Sequence, residues 1–323
     1  MIALTRRTVL AGLTTLAAIP ARPDSAWPNR PITLVHGYVA GGATDVVARI
    51  LAEGLTRRLG QQVVVDPRPG ASGKAAAGYV ARAVPDGHTL IAIPGGHATA
   101  EALYKKLPYK TIDDFSMISM ISEYPFVFVT HADHKIQTAV DLIRTARSQS
   151  TPLLYGTPGI GSVHHLAIEQ MAKMANVRLQ HVPYRGGAQV VTDLLGKRID
   201  FMIDPPTLLI EFVQAGKLRP LATTGATRFF GLPDVATISE MALPGYVVTS
   251  WQGLAGPAGI PPPIVDRLNI EVADILAERA TFERLRAVGN DPRPSSREEF
   301  KARVVADIDK WTGVVADAQI ERI

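Results

Sequence analysis

The sequence predicts an α/β protein of two lobes, each a mainly parallel sheet flanked by helices, with a cleft between them. Three observations predict it. The chain has 323 residues with 46% hydrophobic side chains, enough for two cores. Short β-branched runs alternate with amphipathic helical stretches, the pattern of strands joined by crossover helices. That alternation comes in two series, one before Pro125 and one after it.

The first series opens with Ile32 to Val35 and a helical stretch from Val46 to Leu59. Val46, Val47, Ile50, Leu51 and Leu55 share one side of that stretch while Arg49, Glu53 and Arg57 lie elsewhere, so it covers a sheet with one face. Val63 to Val65, Ala75 to Ala83 and Thr89 to Ile93 continue the alternation. The second series begins at Phe126 to Thr130 and runs through Leu153 to Tyr155, Val163 to Met174, Leu179 to Val182, Ala188 to Leu195, Ile199 to Asp204 and Leu218 to Thr223. Beyond Trp251, a glycine- and proline-rich link, Gly253 to Pro263, leads into helices in which Ile264, Val265, Leu268, Val272, Ile275 and Leu276 share a face. Pro263 suits a first helical turn. Helices alone cannot close a third core, so they pack back on the first lobe. Residues 27–125 with 251–323 then form one lobe and residues 126–250 the other. Chain crossings near Pro125 and Trp251 make a hinge, and a hinge makes a closable cleft.

Composition excludes several classes. There is no cysteine, hence no disulfide scaffold and no thiolate metal site. Arg6 and Arg7, the uncharged run Thr8 to Ala21 and the small residues after it have the layout of an export signal over residues 1–26, and the run is too short to span a bilayer. Thr5 to Leu10 also fits a twin-arginine signal. The mature chain is expected to be soluble and, in a bacterium, periplasmic. Removing residues 1–26 leaves 31 basic against 29 acidic residues. So even a balance is no footprint for nucleic acid.

Strand, glycine-rich loop and helix follow one another three times: at His36 to Asp45, at Gly156 to Ser162, and at Pro183 to Gly187. Glycine lets backbone approach a ligand, and helix N-termini expose unpaired N–H groups with partial positive charge. Such turns can seat a carboxylate without lysine or arginine. Nucleotide motifs fail: Gly70 to Ala75 lacks the first glycine and the Mg-binding hydroxyl of a P-loop, and Gly159-Ile160-Gly161 has His164 where a third glycine belongs. Ser162 with His164 and His165 invites a hydrolase reading, but Gly161-Ser162 lacks the nucleophile elbow, and Ser162 reads as an N-cap with a second role as donor to ligand. Asp45 reads as a capping and dipole partner. His131 and His134 lack a carboxylate cluster, so neither metal nor cofactor is expected.

Several ordered motifs resemble the tripartite tricarboxylate transporter substrate-binding proteins. They include Gly41-Gly42-Ala43-Thr44-Asp45, Val64 to Gly70, Pro85 to Leu90, Leu103 to Tyr109, Tyr155 to Ser162 with His165-Leu166, Val182 to Gly186, Asp193 to Gly196, Ala215 to Arg219 and Leu243 to Tyr246. The resemblance covers residues 27 to 320. It implies the two-lobed periplasmic-binding-protein fold with a ligand cleft between the lobes, and a monomeric, non-enzymatic periplasmic protein that captures a small organic acid and delivers it to integral-membrane permease subunits; presentation to a sensor kinase is the alternative partner. It places the carboxylate on Tyr38 to Asp45 (Tyr38, Gly41, Gly42, Ala43, Thr44, Asp45) and on Thr157 to Val163 (Thr157, Gly161, Ser162, Val163), with His97, Tyr184 and Asp204 as cleft walls. Gly37 stands where the family usually has proline, Pro205 follows Asp204 where asparagine is common, and Thr99 to Ala102 departs from the usual stretch after His97. A ligand other than the common dicarboxylates is therefore open.

Overall fold

The structure is a computed structural model describing residues 27–323, so the predicted export signal lies outside the described residues. The chain runs β1 (Ile32–His36), α1 (Ala43–Leu59), β2 (Val63–Pro67), a 3-10 turn (Ala71–Gly73), α2 (Lys74–Val80), β3 (Thr89–Pro94), α3 (Gly96–Leu103) and β4 (Phe115–Pro125). It continues with β5 (Val127–His131), α4 (Ala139–Ser148), β6 (Leu153–Thr157), α5 (Val163–Ala175), β7 (Leu179–Pro183), α6 (Gly187–Leu195), β8 (Phe201–Asp204), α7 (Pro206–Gln214), β9 (Leu218–Thr223) and α8 (Ile238–Met241). It closes with β10 (Thr249–Pro257), α9 (Pro262–Ala277), α10 (Arg279–Ala287), β11 (Asp291–Pro292) and α11 (Arg297–Asp317).

Two sheets result, ordered β11-β4-β10-β3-β1-β2 and β7-β6-β8-β5-β9. β2, β1 and β3 run parallel, as do β7, β6 and β8. β10 runs against β3 and β4, and β5 against β8 and β9. Both sheets are thus mixed, where the alternation alone predicts mainly parallel pairing. The reversed strands β5 and β10 are those on which the chain enters the second sheet and re-enters the first, while β4 runs with β1, β2 and β3. Phe126 alone separates β4 from β5. Its amide donates to Thr224 Oγ1 at 2.8 Å, and the Thr224 hydroxyl donates to Val248 O, tying the outgoing and returning chains at one buried threonine.

The first sheet is covered on both faces, as β1 illustrates. Ile32 and Leu34 join a core with Leu51 and Leu55 of α1 and Leu268, Val272 and Ile275 of α9. Val35 points the opposite way, into a core built by α2, α3, α5 and α11. That second core continues through Phe126 to Tyr155, Leu166 and Phe201, so apolar contact passes from one sheet to the other.

The stretch Gly253 to Pro263 needs correction. Its first five residues are not a link but the buried end of β10, a strand in the middle of the first sheet. The glycines are there for packing. A Cβ on Gly253 would sit 2.1 Å from Phe300 Cζ, and one on Gly256 would sit 2.4 Å from Ile260 Cδ1.

α11 begins with a capping box between Ser296 and Glu299. Along the first sheet Trp251 Nε1 donates to Asp307 Oδ2 and Arg303 Nη1 to Glu123 Oε1, both at 2.7 Å. Its last turn meets α5, where Lys173 Nζ lies 3.4 Å from Asp317 Oδ1.

Candidate functional site

The loop after β1 is held by its own side chains. Asp45 Oδ2 accepts from the Gly41 amide at 2.9 Å and from Arg49 Nε at 2.8 Å, and Asp45 Oδ1 lies 2.9 Å from His36 Nε2. The Tyr38 amide donates to His36 Nδ1, so Nε2 carries the imidazole proton and donates to Asp45. Burial pushes the Asp45 carboxyl up, but the bonds from Arg49, Gly41 and His36 outweigh it and hold the group below the usual carboxylate range. Asp45 is spent on shaping the loop. Gly42 caps α1 in extended conformation without a side-chain bond, which leaves the first amides of α1 without a side-chain cap.

Tyr38 turns inward. Its ring lies against Gly73, its hydroxyl is 3.5 Å from Ser72 O, and a Cβ on Gly96 would come within 2.9 Å of that hydroxyl. Burial, with Tyr124 and Tyr109 nearby, pushes the phenol pKa well above its ordinary value. A cavity of about 20 Å³ remains, lined by Gly37, Gly73, Pro94, Gly96, His97 and Tyr109 among others. That is room for about one water.

In the second sheet, β6 leads into the turn before α5. Ser162 is the N-cap: its Oγ accepts from the His165 amide at 3.2 Å and donates to Gly159 O at 2.8 Å. The His165 ring turns to the Gly161 amide instead, accepting on Nδ1 at 3.2 Å. Ser162 is thus built as a helix cap rather than as a nucleophile with an adjacent base. Thr157 is fully buried, its hydroxyl donating to Gly159 O at 3.1 Å and lying 2.6 Å from His181 Nε2. The His165 and His181 rings stack 4.1 Å apart, and Tyr155 packs on both. Burial lowers His165 to about 4, and burial with His165 alongside lowers His181 to about 3.

The two turns meet. A Cβ on Gly95, the residue capping α3, would lie 3.6 Å from Val163 Cγ2, and one on Gly159 would lie 3.7 Å from Ser72 Oγ. Leu103 of α3 fills the space beside Gly161. Both ends of α3 thus touch the start of α5, Gly95 at Val163 and Leu103 at Gly161, and neither Gly95 nor Gly96 carries a side chain to screen the α3 N-terminus. The α1 terminus joins them through Gln252 of β10, which pairs with Pro94 and whose Nε2 donates to Thr44 Oγ1 at 3.3 Å. Three helix N-termini with small or hydroxyl residues around them can hold an anion.

Gly161 and Val163 thus touch Leu103 and Gly95 of the first half, Thr157 and Ser162 belong to the same turn, and Tyr38 lies against Gly73 and Gly96. Gly41, Gly42, Ala43, Thr44 and Asp45 form the neighbouring turn. His97 is buried, bonded to Thr111 O at 2.9 Å and stacked on Tyr109, with its pKa lowered by burial to about 4. Tyr184 donates to Asp193 Oδ2 at 2.9 Å and packs over Gly156. Asp204 is buried beside Gly187, with Oδ2 3.6 Å from His164 Nε2. Ser72, Gly95, Leu103, Ser250 and Gln252 escape the sequence reading. Thr89 to Pro94, Gly95-Gly96 and α3 are a fourth strand–glycine–helix unit that would have revealed one of them. Among the described residues no group of three or more His, Cys, Asp or Glu gathers as a metal would require.

A family model described as the tripartite tricarboxylate transporter family receptor matches residues 47–320. An R. palustris protein solved with adipate is 36% identical, covering 92% of this chain and 100% of its own, at a TM-score of 0.87. The periplasmic binding protein BugD is 32% identical, covering 91% and 99%, at 0.84. MatC from Rhodopseudomonas palustris with bound malate is 31% identical, covering 90% and 100%, at 0.82. The fold is the two-sheet periplasmic-binding-protein fold expected from the sequence. These relatives are binding proteins for transport and not enzymes. With most of its length matched by that one receptor family, the chain belongs to the tripartite tricarboxylate transporter receptors.

Proposed function

We propose that the protein captures a small organic acid in the periplasm by closing its two sheets around it, and hands the acid to a tripartite tricarboxylate-type membrane permease. The ligand carboxylate sits between the loop after β1 and the turn before α5, on main-chain amides rather than on lysine or arginine. One observation supports this reading: the glycine start of α3 lies beside the first residue of α5, Gly95 against Val163. Two like partial charges at close range are relieved by a negative group beside them. Charge-assisted hydrogen bonds of about 1.5–3 kcal/mol each and helix ends of about 0.3–2 kcal/mol suffice for micromolar affinity, about 8 kcal/mol. The adipate and malate carried by two family neighbours support the same ligand class. Residues 1–26 supply the export signal, and among the described residues no helix is long and apolar enough to cross a membrane.

The test is a thermal-shift screen of mono-, di- and tricarboxylates, aromatic ones included. A matching acid at a hundredfold excess over Kd raises Tm by about 4 °C. Success of a sugar or an amine while every acid fails would overturn the proposal.

A further inference from the structure

We propose that His165 and His181 are positioning residues: a stacked pair of imidazoles that, by holding Gly161 and Gly159, sets how the Thr157–Ser162 turn presents the Ile160 amide and the first amides of α5 to the ligand. This rests on the reading of that turn as a ligand seat.

The hydrogen-bond directions fix both tautomers. The Gly161 amide is a donor, so His165 Nδ1 is the acceptor and the ring proton sits on Nε2, which faces Glu169 Oε1 at 4.0 Å. Glu169 is held there by the Tyr155 hydroxyl, which donates to it. Thr157 gives its hydroxyl proton to Gly159 O, so at 2.6 Å it accepts from His181 Nε2–H. The Gly159 amide approaches the same oxygen at 3.4 Å. One ring therefore acts on the turn as an acceptor at Gly161, and the other as a donor relayed through Thr157 to Gly159.

Both glycines need this support. Gly159 holds φ at +137° and Gly161 at +73°, values that glycine adopts but does not enforce. A turn with two such residues has many backbone states, and only some present the Ile160 amide and the first amides of α5 to an anion. The imidazole stack, with centroids 4.1 Å apart and interplanar angle 18°, selects among them from below. Neither ring has to touch the ligand. β6 and β7 set the stack, because their register places His181 opposite Tyr155, the residue on which both rings lie.

The test uses substitutions that keep one nitrogen and lose the other. Asparagine at 165 places an acceptor near Nδ1, and glutamine there reaches only Nε2. At 181 the roles reverse, glutamine keeping the Nε2 donor and asparagine losing it. The expected result is opposite preferences: His165→Asn binds the screened organic acid more tightly than His165→Gln, and His181→Gln more tightly than His181→Asn. Each gap should be about three- to tenfold, the worth of one neutral hydrogen bond. In the ligand-free variants that lose the bond, amide exchange at Gly161 or Gly159 should rise by a similar factor while Tm moves together with that of the paired variant. The same preference at both positions, or equal binding with unchanged exchange at both glycines, overturns the proposal. A wild-type protein that binds no organic acid defeats the ligand seat instead, and the exchange measurement then still decides whether the imidazoles order the turn.

Discussion

Leu103 Cδ2 occupies the place of a side chain on Gly161, 1.9 Å from where a Cβ would stand, and Gly161 itself holds φ at +73°. Leu103 ends α3 beside the first sheet and Gly161 precedes α5 beside the second, so the contact joins the two halves. Gly161→Ala combines overpacking, about 1–3 kcal/mol, with a left-handed backbone penalty of about 1 kcal/mol. Calorimetry should record at least about a tenfold loss of affinity. Adding Leu103→Ala should recover part of it, and strictly additive effects in the double-mutant cycle would refute the contact as the cause.

Asp45→Asn should loosen the loop that presents the α1 N-terminus. Losing bonds to a buried carboxylate costs about 1–3 kcal/mol at neutral pH. Because the folded-state pKa is depressed, the carboxylate stabilises fully above the unfolded-state value near 4 and loses that effect as pH falls through the lower folded value. Denaturant midpoints of wild type and variant should therefore differ at pH 7 and converge in strong acid.

His97, His165 and His181 work in another window. Burial lowers them to about 4, 4 and 3 from 6.5, so between pH 6.5 and about 4 the unfolded chain binds protons the folded one refuses. Stability should fall on acidification through that range with a slope approaching three protons. Replacing His97 by glutamine should reduce the slope by about one proton. An unchanged slope would mean that His97 is not held neutral by its packing against Tyr109 and Phe115.

Gln252→Leu should separate binding from folding. The side chain is 1% exposed and ties Thr44 to the Pro94 end of β3. Exchanging one modest hydrogen bond for apolar contact shifts stability by about 1 kcal/mol or less. Release of the α1 terminus should still weaken organic-acid binding about tenfold. Equal affinity by titration would remove Gln252 from the site.

What the sequence reveals is local. A strand, two glycines and a helix lie within a dozen residues, so the turns at Gly41-Gly42 and Gly159 to Ser162 announce themselves. Their partners do not. Leu103 comes from α3, while Ser250, whose hydroxyl lies against Gly95, and Gln252 reach the site because β10 threads the middle of the first sheet, and β10 is masked by Gly253 and Gly256, whose bare backbones accept Phe300 and Ile260. β4 is masked by Ser116, Ser119, Ser122 and Glu123, which break its apolar pattern although it is largely buried. The histidine stack depends on the register of β6 against β7, and no spacing within either strand encodes that. Gly37 has a local reason that appears only in three dimensions: a Cβ there would strike Gly73 Cα at 2.3 Å, so this loop and the 3-10 turn have given up side chains together.

The unequal fastening of α11 also matters. At the first sheet its grip is partly buried, through Trp251 to Asp307 and Arg303 to Glu123; at α5 it includes a solvent-facing attraction between Lys173 and Asp317. Dissolved ions weaken the second grip and barely reach the first. The helix is then a plate screwed down at one end and held by a magnet at the other, and added salt should free its last turn from α5 before it loosens the rest.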